Sequence, residues 1–217
     1  MKYLTWKEEK ITDFSSGSIS SKYNDGFVFT RLGKGVMHQT RSCRINLVKF
    51  ELTSENRRIL KKGANVGFMA LELPILEYDW AIGKLAKDFY SAKFGPNVMS
   101  AQKIKEMLTD ESTSNFNRLF SYTESSAAVG FAICYGNRNI LHYSYPFYNL
   151  EKALKDMGLI MMTKTIQWAK ENGKKYIYLG SLQRPGDVYK LQFEGFEWFD
   201  GKEWKTDVEE VKMILKV

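Results

Sequence analysis

Residues 150–180 constrain the fold of this 217-residue chain more than any other stretch. Leu150 to Asn172 reads as a long helix. Gly173-Lys174-Lys175 then turns the chain into Tyr176-Ile177-Tyr178-Leu179-Gly180, a short aromatic and aliphatic run with the pattern of a buried strand. The run breaks at Gly180, enters a polar loop with Pro185-Gly186, and continues into Val188-Tyr189-Lys190-Leu191-Gln192-Phe193 as a short helix. A strand whose end opens into a loop between packed helices is a favoured ligand position, so a cleft is expected beside Gly180.

The remaining pattern supplies a sheet for that strand. Leu119 to Thr123, Ala127 to Tyr135 and Asn139 to Tyr145 predict successive strands rich in β-branched and aromatic residues, with Gly136-Asn137 turning the last pair. Phe196 to Trp204 predicts a hairpin turning at Asp200-Gly201, and the tail from Val208 fits helix or strand. Upstream, Tyr78 to Phe94 predicts a helix with Ile82, Leu85, Ala86 and Phe89 on one face, stopped by Gly95-Pro96. Ser100 to Leu108 predicts a shorter one. Phe27 to Phe29 begins a strand after the Asn24-Asp25-Gly26 turn, and Gly33-Lys34-Gly35 is a hairpin turn. Ile45, Leu47 and Phe50 are core candidates. Thr53 or Ser54 can cap a helix running to Lys62, with Glu55 suiting the dipole of its first turn. Met1 to Asp25, with its Ser-Gly-Ser centre, reads as a loop or loosely held arm. The expected organisation is an arm and basic strand/helix region over residues 1–62, packed on a main domain over 63–217. The fold class is α+β with a mixed, mostly antiparallel sheet flanked by helices.

Composition bounds the chemistry. Two cysteines, Cys43 and Cys134, make neither a disulfide framework nor a CxxC pair, and His38 and His142 stand far apart, so no metal site is expected. No signal peptide is visible in Met1 to Lys10, and no apolar run is long enough to cross a bilayer, so a cytoplasmic location is expected. A net charge of +7 points to an anionic partner. The most basic local surface is expected from Arg41, Arg44, Arg57 and Arg58, with Lys61 and Lys62, a phosphate- or RNA-binding candidate.

Several runs resemble one family. They are Leu141-His-Tyr-Ser-Tyr-Pro-Phe-Tyr148, Met157-Gly158-Leu159, Tyr176-Ile-Tyr-Leu-Gly180, and Asp187-Val-Tyr-Lys190 followed by Phe193. Their order from Val129 to Trp204 resembles the acyltransferase half of the arginyl-tRNA–protein transferases, which belong to the broad GNAT superfamily. A weaker likeness lies in Arg41-Ser-Cys-Arg-Ile45, Phe50 and Arg57-Arg58. The family's N-terminal cysteine cluster is missing, Val188 stands where the family has Met, and Ser181-Leu182-Gln183-Arg184 replaces a usually aromatic loop.

The resemblance implies transfer of an aminoacyl group from charged tRNA to an amine: a protein or peptide N-terminus, or a small molecule. No cofactor is then needed beyond the charged tRNA itself. An aminoacyl ester is already activated, so the enzyme mainly holds the amine against the carbonyl and stabilises the oxyanion, without a covalent intermediate. Asp187 and Glu194 are the nearest carboxylates for receiving a proton. Tyr178, Tyr189 and Phe193 are candidates to stack on the terminal adenine. Lys190 can pair with a phosphate or an acidic acceptor; Ser144, Tyr145, Gly180 and Gln183 line the pocket; Gly158 opens a helix that offers N–H groups to an anion.

Two other functions compete. One is a GNAT N-acyltransferase using acetyl-CoA or another acyl-CoA. Against it, Lys155-Asp-Met-Gly158-Leu-Ile160 has the first glycine of a pyrophosphate loop but no second. The other is an RNA-binding adaptor that keeps the fold without turnover. The amino acid, the acceptor and the oligomeric state are not legible.

Overall fold

Long strands of β-branched and aromatic residues pair first with their neighbours in sequence, and that rule builds most of this sheet. The computed structural model describes residues 4–216. In chain order the elements are β1 (Lys7–Lys10), α1 (Ser16–Asn24), β2 (Phe27–Phe29), β3 (Val36–Gln39), β4 (Ser42–Asn46), α2 (Ser54–Lys62) and β5 (Gly67–Glu72). Then follow α3 (Trp80–Phe94), α4 (Ala101–Thr109), β6 (Arg118–Glu124), β7 (Ala127–Gly136), β8 (Ile140–Tyr148), α5 (Met157–Glu171) and β9 (Tyr176–Ser181). A 3₁₀ helix (Pro185–Gln192), β10 (Phe196–Phe199), β11 (Trp204–Lys205) and α6 (Val208–Leu215) complete the chain.

The main sheet has eight strands in the order β11-β10-β4-β9-β8-β7-β6-β5. β5 to β8 form an antiparallel meander. The crossover through α5 forces β9 to run parallel to β8, and every other neighbour is antiparallel. The mixed, mostly antiparallel sheet is as expected. A small sheet, β1-β3-β2, stands apart. Alternation along the strands feeds two cores. Ile177 and Leu179 pack with Met157, Ile160 and Ile166 of α5, while Tyr178 packs with residues of α1, α3 and α4 on the opposite face. Among the described residues no helix is long and apolar enough to cross a membrane.

The structure departs from the expectations in four places. Residues 16–24 form α1 rather than a loose arm. Ser15 caps it by accepting from the Ser18 N–H, and Ile19 and Tyr23, four apart, are buried on one face. Residues 1–3 of the expected arm, and residue 217, lie outside the described residues. Second, β4 from the N-terminal region is an inner strand between β10 and β9, so a boundary at residue 62 runs through the sheet. Third, α5 begins at Met157, not Leu150. The Asn149 carboxamide accepts from Glu151 N and Lys152 N and holds a turn there, and Asp156 sits in the left-handed region at φ 71°. Fourth, the helix after Gly186 is 3₁₀ and starts at Pro185. The tail resolves to α6, capped by Asp207.

Candidate active site at the strand splay

β8 and β9 are paired only through Ile140↔Tyr176, Leu141↔Ile177 and His142↔Tyr178. Beyond that point β8 continues to Tyr148 paired with β7 alone, and β9 continues to Ser181 beside β4. Both strands carry an irregularity at the parting. On β8, Tyr143 and Tyr145 face consecutive β7 residues, Cys134 and Ile133, so Ser144 is an extra residue. On β9, Tyr178 and Ser181 face Arg44 and Ser42, so one residue is extra between them, and Gly180 there has φ 79°. Bulges bend strands and re-aim side chains, and the left-handed backbone at Gly180 is one that glycine adopts without strain. The two bends lie where β8 and β9 part, beside Gly180.

Of the expected pocket residues, Ser144 and Tyr145 flank the opening, both half-buried. The Ser144 Oγ lies 2.8 Å from His142 Nδ1. Tyr145 packs edge-on to Phe116, with the Arg31 guanidinium 6.0 Å above its ring. Tyr189 is 41% exposed and keeps a face for a ligand. The Gln183 side chain is engaged in structure: it donates to Ser181 Oγ at 2.8 Å and accepts from Leu4 N at 3.0 Å. Lys190 is buried, donating to the Ser181 carbonyl at 2.9 Å and lying 3.4 Å from Asp187 Oδ1.

Other residues lie elsewhere than their expected roles require. Asp187 accepts from Gln183 N at 2.9 Å and Arg184 N at 3.0 Å through one oxygen and faces Lys190 with the other. Its carboxylate builds the loop and is not held ready for an amine proton. Glu194 is exposed next to Gly195, whose carbonyl accepts from Asn46 N. Asn46 pairs with Tyr176, so Glu194 is at the opposite end of β9 from Gly180, about 13 Å along the strand. Tyr178 is 1% exposed and its hydroxyl accepts from Arg44, so its ring fills core and cannot stack on a base. Phe193 is likewise buried, against Phe50.

The expected basic surface divides. Arg44 is buried, donates to Glu197 at 2.7 Å, and is sandwiched by Tyr176 at 4.0 Å and Trp204 at 3.8 Å. Arg41 donates to the Leu182 carbonyl at 3.2 Å, beside the end of β9. Arg57 and Arg58 are exposed on α2, with Arg58 paired to Glu55 at 2.6 Å. Capped by the Thr53–Asn56 box, α2 packs against α5 so closely that a Cβ on Gly63 would meet Ile160 at 2.3 Å. Its C-terminal Lys62 reaches Asp156, the residue before α5, at 2.6 Å. Gly158 lies in that first turn of α5, two residues on. Arg57, Arg58 and Lys61 therefore share the α2 helix whose C-terminal end meets the α5 N-terminus, where, contrary to expectation, the Met157, Leu159 and Ile160 N–H groups around Gly158 already donate to the Leu154 and Asp156 carbonyls.

His142 and Tyr23 were not expected at the site. His142 is 3% exposed, and its Nδ1 lies 2.9 Å from Tyr23 Oη. Burial, with the Lys190 charge nearby, pushes the imidazole pKa down to about 3, so the ring is neutral at physiological pH. The available signal was a histidine two residues from Ser144 in a predicted strand.

No protein-family model matches the chain. It is 27% identical over 211 residues to an aspartate/glutamate leucyltransferase of Alkalilimnicola ehrlichii, covering 93% of this chain and 87% of that protein. It is 27% identical to proteins of the same name from Ruegeria sp. and Cereibacter sphaeroides, over 75% and 76% of this chain; it spans 60% and 61% of their lengths. Among solved structures, FemX superposes with a TM-score of 0.53 at 10% identity, over 93% of this chain and 71% of that one. The C-terminal domain of a putative lysylphosphatidylglycerol synthetase from Agrobacterium fabrum superposes with a TM-score of 0.51 at 12% identity, over 93% of this chain and 69% of that one. The chain thus shares the fold of FemX and of that synthetase domain, and along almost its whole length it is similar in sequence to a protein named an aspartate/glutamate leucyltransferase.

Proposed function

We propose that this protein is an aminoacyl-tRNA-dependent transferase that moves an amino acid from charged tRNA to the amine of a protein or peptide acceptor. The observation that carries this is the similarity to aspartate/glutamate leucyltransferases across 93% of the chain, joined to a sheet that opens beside Gly180. The relatives' name directs the choice of donor to leucyl-tRNA and of acceptor to a chain beginning with Asp or Glu. It takes precedence over the arginyl specificity implied by the sequence resemblance.

The two sides of the opening divide the work. On the α5 side, the positive end of the α5 dipole and the cations of α2 suit the phosphates of a tRNA 3′ end. On the other side, Tyr145 and Arg31 suit the acceptor. The amine and the ester meet at Ser144, where holding them together supplies most of the rate. Charged tRNA is a cytoplasmic molecule, and the reading carries that location with it.

The test is transfer of labelled leucine or arginine from charged tRNA to peptides beginning with Asp, Glu or Ala. The expected result is label on the Asp and Glu peptides, from leucyl-tRNA, abolished by ribonuclease. Transfer that survives ribonuclease, or acylation of the peptides from acetyl-CoA, would replace this function with an acyl-CoA one.

A further inference from the structure

We propose that the Ser144 hydroxyl carries the proton of the transfer reaction from the attacking nitrogen to the departing ribose oxygen, and that His142 positions it. This rests on the aminoacyl-tRNA reading above and assigns the proton transfer that Asp187 and Glu194 are not placed to perform.

The bulge makes Ser144 the extra residue of β8, just past its last pairing with β9. The hydroxyl is half-buried at the opening, and its Oγ sits 2.8 Å from His142 Nδ1. That nitrogen is also 2.9 Å from Tyr23 Oη. The Phe29 N–H donates to the Tyr23 oxygen at 3.3 Å, and with the imidazole proton on Nε2 the single Nδ1 lone pair is shared between the Tyr23 and Ser144 hydroxyls. Tyr23 is fully buried among Phe29, Tyr135 and Tyr178 and cannot meet a substrate. It holds the ring. Ser144 is the half-buried member of the cluster; held only through a shared Nδ1 lone pair, its hydroxyl can turn to accept an N–H and to give its proton to the departing oxygen.

The balance of the reaction favours a shuttle. The N–C bond forms and the ester C–O bond breaks; one proton must leave the nitrogen and one must reach the ribose oxygen. A hydroxyl takes the first and gives the second, leaving the enzyme unchanged. The groups facing His142 are Tyr23 from α1, Tyr178 from β9, and Lys190 from the 3₁₀ helix. None is an anion that would stabilise an imidazolium, so the ring orients the hydroxyl and does not keep the proton.

The experiment uses the full chain with leucyl-tRNA and an Asp-initiated peptide. Ser144→Ala should lower kcat about 100-fold, with both KM values within twofold and an unchanged melting temperature. Ser144→Thr, which keeps a hydroxyl and suits a strand, should recover at least a tenth of the wild-type kcat. His142→Asn should lower kcat about tenfold in the wild-type background and have no further effect in Ser144→Ala, because the ring acts only through the hydroxyl. If His142→Asn does not fold, the two Ser144 variants decide. A Ser144→Ala kcat within threefold of wild type, or an effect on KM alone, would overturn the assignment. So would an aminoacylated Ser144 seen by mass spectrometry, since the hydroxyl would then be the nucleophile. A wild-type protein inactive with every charged tRNA would sink the functional reading and this proposal together.

Discussion

Arg44 and Arg58 are the same residue type, fourteen positions apart, and both look like members of one basic surface. The fold gives them opposite lives. Arg44 projects from an inner strand, loses its water, and is held by Glu197, Tyr178, Asn24 and two aromatic faces. Arg58 stands on an outer helix face and pairs with Glu55 one turn away, where water and salt weaken the pair. The difference teaches that a cation's role follows from whether its counter-charge is built in or must arrive from a partner. Interior charge is structural; the exposed charge on α2 faces solvent.

The largest expected effect tests the interior half of that contrast. Arg44→Ala leaves the Glu197 carboxylate buried without its cation and should cost about 3–5 kcal/mol, read as a fall in the urea midpoint. Arg44→Met with Glu197→Leu removes both charges and should recover most of that loss. If the double variant is as unstable as the single, the desolvation account of Arg44 is wrong.

A smaller effect comes from the buried group that stays neutral. His142 resists protonation down to about pH 3 in the folded protein, whereas in the unfolded chain it takes a proton near its usual value of about 6.5. Below pH 6.5 the unfolded state therefore binds more protons, and stability falls as pH falls. Between pH 6.5 and 4.5 this one group should account for about 2 kcal/mol. The check is the pH dependence of the urea midpoint in wild type against His142→Asn: the variant should have the flatter acid limb.

The smallest effect on folding is expected on α2. Arg57→Ala with Lys61→Ala should change stability by less than about 0.5 kcal/mol. The same pair should reduce the slope of log affinity for tRNA against log salt by roughly 1.5, the loss of two phosphate contacts. An unchanged slope would move the RNA surface away from this helix.

Much of the fold was legible because neighbouring strands announce themselves. β7 places Val129, Phe131, Ile133 and Tyr135 at alternate positions, β8 is rich in tyrosine, Gly136-Asn137 turns between them, and Thr53 marks the start of α2. α1 was not legible, because Ser16-Gly-Ser has weak helix propensity and only Ile19 and Tyr23 anchor it. Its stability comes from the Tyr23 ring docking on Tyr135 and Tyr178, residues more than a hundred positions away. The early start expected for α5 failed for a local reason, the Asn149 turn. Ser144, Tyr145 and Gly180, named from the sequence, stand where β8 and β9 part, whereas the Asp187 carboxylate is engaged by backbone amides that side-chain types do not reveal.

The amino-acid sequence by itself determined which segments could be strands or helices, and it put a glycine at the position where β9 bends. Those properties depend on residues within a turn or two of one another. Only the tertiary structure decided that β4 slots between β10 and β9, that β8 bulges at Ser144, and that His142 meets Tyr23 across 119 residues. Each of these depends on strand register and on packing between segments far apart in the chain, and register is settled by the sum of contacts over a whole face of the sheet rather than by any local run.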